Sequence, residues 1–104
     1  MASSHDITPN TAAQKTQNFQ NAHSGKFKGG KIPESDIREI LNQTGCAELR
    51  YYFTLDDVNK PNEITVCFVG VDGNGNDIIA GGVMKDSVLA CPSNCGTSNA
   101  LNHN

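Results

Sequence analysis

Val71-Asp72-Gly73-Asn74-Gly75-Asn76-Asp77 is the stretch whose reading decides the fold. Asn and Gly adopt positive φ at little cost, so this run between apolar segments turns the chain back on itself. Upstream, Glu63 to Asp72 alternates, with Ile64, Val66 and Phe68 on one face and Thr65, Cys67, Val69 and Val71 on the other. That period of two is a strand, and apolar content on both faces predicts a central strand or a face used for association. Downstream, Asp77 to Val83 predicts the returning strand of a hairpin. The loop also puts oxygen side chains at positions one, three and five of a calcium loop. Calcium requires Gly at position six and a bidentate acid at twelve. Those positions hold Asp77 and Val83, so the segment reads as a turn that sets register.

Working outward, Cys46 to Leu55 alternates again, with Leu49, Tyr51, Phe53 and Leu55 opposite Arg50, Tyr52 and Thr54. It predicts a first strand, joined to the second by a turn over Asp56 to Asn62 that contains Pro61. A short fourth element is expected around Ser87 to Ala90. Further upstream the period changes. Ile37, Ile40, Leu41 and Thr44 follow helical spacing, with Ser35 as N-cap, Asp36 and Glu39 in the acid-favouring first turn, and Gly45 as the stop. Thr8-Pro9 opens an earlier helix reaching His23, whose thin stripe has Phe19 as its one large anchor. The fold class is therefore α+β: two N-terminal helices followed by a three-stranded antiparallel meander that a fourth strand would extend. Residues 1–104 form one domain, with a loose tail at 1–7, a helical part at 8–45, the meander at 46–90 and an irregular cysteine-bearing tail at 91–104.

Composition limits the function classes. The 104 residues carry a net charge of -3, which weighs against nucleic acid as a partner. Nothing approaches the ~20 apolar residues of a membrane span. The start, Met1-Ala2-Ser3-Ser4-His5-Asp6, lacks the pattern of a secretory signal, so a cytoplasmic location without a membrane partner is expected. In that reducing compartment the glycosylation sequon Asn42-Gln43-Thr44 has no consequence, and the four cysteines are expected as packing thiols.

Cys91-Pro92-Ser93-Asn94-Cys95 is nevertheless a C-x3-C pair. It supports an alternative in which zinc is held by Cys91, Cys95 and two of Cys46, Cys67 and His103. A Cys91–Cys95 disulfide is the third arrangement. Lys26 to Lys31 has the backbone and charge to cradle phosphate but not the spacing of a P-loop, so a solvated linker is the simpler account. Arg50-Tyr51-Tyr52-Phe53 would suit base stacking only on a basic surface. Core packing of Tyr51 and Phe53 is expected instead, with Tyr52 on a partly exposed face. His5, His23 and His103 lie in polar surroundings, and no nucleophile triad assembles. A non-enzymatic interaction or structural protein is expected, with no cofactor. Its partner is another protein or itself, met through Tyr52, Val69 and Val71 and through open strand edges.

Several segments together resemble a group of small uncharacterised Bacteroidetes-type bacterial proteins. The resembling residues are Ile40 to Cys46, Leu49-Arg50-Tyr51-Tyr52, Val69 to Asp77, Cys91 to Cys95 and Ala100-Leu101-Asn102. The resemblance covers the C-terminal two-thirds of the chain. It implies an intact small bacterial protein and transfers no catalytic residues.

Overall fold

The computed structural model describes residues 3–86 and 89–102. Helix α1 spans Pro9–Ala22, entered as the sequence predicts. The Thr8 hydroxyl oxygen accepts the Thr11 amide at 3.1 Å, and Pro9 sits where a missing N–H is harmless. The helix has no buried residue, in keeping with its thin stripe. A short strand β1, Gly29–Lys31, follows where a linker is expected. Its partner is the distant β5, Leu89–Cys91, in an antiparallel two-stranded ribbon.

Helix α2 covers Glu34–Leu41. Its N-cap is Pro33 rather than Ser35: the Pro33 carbonyl accepts the Asp36 and Ile37 amides at 3.1 and 3.3 Å. The helix stops at Leu41, so Thr44 lies beyond it, and Gly45 at φ 80° swings the chain into the sheet. Strand β2 then occupies Cys46–Leu55, and β3 occupies Ile64–Asp72. They pair antiparallel, with Tyr51 opposite Phe68 and Arg50 opposite Val69.

The turn after β3 forms as read. The Asp72 carboxylate accepts the Asn74 and Asn76 amides at 2.9 and 3.0 Å, and Gly75 takes φ 85°. That carboxylate is occupied in holding the turn. The returning strand differs from the expectation of Asp77 to Val83. Asp77 makes one isolated bridge to Val71, the chain leaves the sheet, and pairing resumes as β4, Met84–Asp86, against Cys67, Phe68 and Val69. The detour is sealed from the turn after α2: Gln43 accepts the Val83 amide at 2.7 Å and donates to the Ile40 carbonyl at 2.8 Å. Gly82 is required there, since a Cβ would lie 2.2 Å from the Ile78 carbonyl oxygen.

The three-stranded sheet has the order β2-β3-β4. Alternation puts Leu49, Tyr51, Phe53 and Leu55 on one face with Ile64, Val66, Phe68 and Gly70, and α2 lies over the Gly70 end of that face. A Cβ on Gly70 would lie 2.9 Å from both Cys46 Sγ and Gln43 Nε2, so glycine leaves room for those side chains, while Ile40 Cγ2 of α2 would stand at an ordinary 3.5 Å contact. Lys85 fastens the helix from β4, with Nζ 2.8 Å from Glu39 and 3.7 Å from Asp36. Among the described residues the buried apolar set is small: Ile40, Val69, Val71 and Cys91.

Candidate interaction surface

Val69 and Val71, expected to meet a partner, and Tyr51 and Phe53, expected to form the core, have exchanged places. Val69 and Val71 are 3% and 2% exposed and belong to the core, which removes them from any surface. A polar roof lies on their face of the sheet. Arg50, opposite Val69 on β2, reaches Asp77, opposite Val71 on the far side of β3, at 2.5 Å. The ion pair therefore crosses β3 above the two valines. Tyr52 donates its hydroxyl to the other oxygen of Asp77, and Arg50 also donates to the Gly75 carbonyl at 3.2 Å. Tyr52 and the charge of Asp77 hold the Arg50 guanidinium above its ordinary pKa. Tyr52 stays exposed along its ring, as expected, with its hydroxyl engaged in this roof.

On the opposite face, α2 covers one end and leaves the rest bare. Tyr51 is 59% exposed and Phe53 74%, contrary to the core role that their alternation predicts. Leu49, Leu55 and Ile64 beside them are exposed as well. Tyr51 and Phe53 pack edge to face, with centroids 5.9 Å apart, so the pair is already ordered. The bare end of the sheet continues into an open groove of about 680 Å³ lined by Phe19, Phe27, Phe53, Ile64 and Val66 among others. The surplus of surface is general. The chain exposes 7475 Å², against roughly 5,650 Å² for a compact monomer of its mass, an excess of about 1,800 Å². Its radius of gyration, 15.4 Å, likewise exceeds the ~13 Å of a compact domain.

The cysteines do not converge as a four-cysteine zinc site would require. Cys91 and Cys95 are joined in a disulfide, which replaces the free thiols expected from the sequence. Cys46 and Cys67 remain free and half-buried. Cys46 pairs with Asp72 at one end of β2, and Cys67 pairs with Tyr52, six residues further along. At 3.3 Å per residue that is about 20 Å, too far for two ligands of one ion. His103 lies outside the described residues. Among those described, no group of three or more His, Cys, Asp or Glu side chains is arranged to hold a metal. No described helix is long and apolar enough to cross a membrane.

The signals missed by sequence reasoning are non-local. Gly81-Gly82 marks where β4 breaks, and Gln43 is the side chain that seals the break, but only the tertiary arrangement joins them. No family model, curated protein or solved structure matches the chain.

Proposed function

We propose that the protein is a small non-enzymatic interaction module that associates with a second copy of itself through the open β2 side of its three-stranded sheet, which carries the uncovered apolar row. The observation that supports this most is the contiguous row Leu49, Tyr51, Phe53, Leu55 and Ile64, exposed beside a core that among the described residues buries four apolar side chains. Large contiguous apolar patches on soluble domains mark association sites. The surplus of about 1,800 Å² is about twice the ~800 Å² that each partner of a standard interface buries, so one such contact fits within it. The ion pairs of Arg50 with Asp77 and of Lys85 with Glu39 fasten structural elements together, which suits a binding role.

Sedimentation equilibrium of the wild-type chain and of Phe53→Asp tests the proposal. The wild type should be dimeric at micromolar concentration. Phe53→Asp should stay monomeric with an unchanged circular dichroism spectrum, because its site is open to solvent. A wild type that sediments as a monomer up to millimolar concentration would overturn the reading.

A further inference from the structure

β2 is an edge strand ten residues long, and the hydrogen-bonding parity of the sheet shows which of its groups are free. The Gly70 carbonyl accepts the Ile78 amide at 2.8 Å and the Asp72 amide donates to Asn76 at 2.9 Å, so both residues turn their main chain toward the β4 side. In an antiparallel strand successive residues point alternately to either side. Val69 and Val71 therefore bond toward β2, and their opposites Arg50 and Glu48 bond inward to β3. Leu49, Tyr51 and Phe53 consequently present N–H and C=O to the open edge. These are also the residues whose side chains make up the bare apolar face. Affinity from main-chain bonds and burial of side chains are thus available from one set of positions.

Resting on the self-association proposed above, we infer that two copies join edge to edge through β2, antiparallel and centred on Tyr51. The result is a continuous six-stranded sheet. A two-fold axis relating two facing edges must stand perpendicular to the sheet, which keeps both apolar faces on the same side and sets Leu49, Tyr51 and Phe53 against the same set in the partner. Centring on Tyr51 pairs Leu49 with the partner's Phe53 and gives about six main-chain hydrogen bonds in the central ladder.

Charge selects this register over its neighbours. One step earlier sets Arg50 against its own copy, and one step later sets Glu48 against Asp56 of the partner; like charges directly opposite destabilise a sheet. Centring on Leu49 leaves Phe53 and Leu55 without a partner strand. With Tyr51 at the centre, Glu48 faces Thr54 and Arg50 faces Tyr52, so no like charges meet. The same register sets the covered end of one copy beside the bare end of the other. α2 stands over the Gly70 end of its own sheet, the end beside Leu49. The antiparallel pairing brings that end of one copy next to Phe53 and Leu55 of the other.

Single cysteines placed in β2 of the full chain, with Cys46→Ser and Cys67→Ser as background, test the register under mild oxidation. Position 51 sits opposite itself, within the ~4.4–6.8 Å Cα separation of a disulfide. Tyr51→Cys should cross-link to a covalent dimer nearly completely. Leu55→Cys should not, since the two copies of position 55 lie about 27 Å apart along the ladder. Light scattering of the background without an added cysteine, with circular dichroism to confirm folding, separates self-association from its register. A dimer in which Tyr51→Cys stays uncross-linked, or in which Leu55→Cys cross-links instead, would overturn the register while leaving self-association standing. A folded background that is monomeric throughout would overturn both. Cross-linking at 51 alone supports the edge-to-edge pairing.

Discussion

Ile40→Ala, set against Phe53→Ala, separates the observed core from the one that strand alternation predicts. Ile40 is 0% exposed and sits above Gly70, at the contact of α2 with the sheet. The substitution removes three carbons. At ~0.8 kcal/mol per buried methylene that is about 2.4 kcal/mol of lost transfer free energy, and the cavity left behind adds to it, for a total near 3 kcal/mol. In a domain of about 100 residues each kcal/mol moves the midpoint by ~4–8 °C, so Tm should fall by about 12–24 °C. Phe53 is larger but 74% exposed, so Phe53→Ala should cost below ~1 kcal/mol when the chain is monomeric. The assay is thermal unfolding followed by circular dichroism on samples dilute enough to suppress association. A loss below about 1 kcal/mol for Ile40→Ala, or a greater loss for Phe53→Ala than for Ile40→Ala, would refute this assignment of the two faces.

Gln43→Leu should destabilise by about 1–3 kcal/mol in urea unfolding, because the Val83 amide and the Ile40 carbonyl both lose a partner in a half-buried site. The pKa of Lys85 is raised, chiefly by its hydrogen bond to Glu39. Its stabilising contribution is therefore complete below the ordinary lysine pKa of about 10.4 and is lost as pH climbs through the higher folded value. Lys85→Met should flatten the alkaline fall in Tm and leave its slope near neutrality unchanged. Reducing the Cys91–Cys95 disulfide releases a five-residue loop, which should lower stability by about 2 kcal/mol on the chain-entropy model. Chemical denaturation with and without a phosphine reductant checks this.

What was legible in the sequence is what local physics decides. Cys46–Leu55 forms a strand with the predicted bounds because period-two alternation is a property of the segment alone. Asp72 to Asn76 turns because Asn and Gly suit that backbone, and Thr8-Pro9 opens α1 for equally local reasons. The α+β class and the two helices follow from the same signals. Alternation states which residues share a face but not which face is covered. The sheet buries Val69 and Val71 on the face where Arg50 reaches 27 residues along the chain to Asp77, and it leaves Phe53 bare beyond an α2 of only eight residues. Neither fact is written in the strand itself. The β1–β5 ribbon joins Gly29 to Cys91, and short Gly-rich segments carry no signal for such distant pairing. The same non-locality dispersed the cysteines, whose spacing allowed a zinc site that the register of β2 and β3 does not assemble from all four.

Amide hydrogen exchange along β2 tests the meeting of two copies at this strand most directly. The amides of Leu49, Tyr51 and Phe53 point to the open edge, whereas those of Arg50 and Tyr52 point to β3. With two copies joined at β2, the first set should be strongly protected in concentrated samples and lose protection on dilution, while the second set stays protected throughout. Fast exchange of the Tyr51 amide at every concentration, in a sample whose Arg50 and Tyr52 amides remain protected, would contradict it.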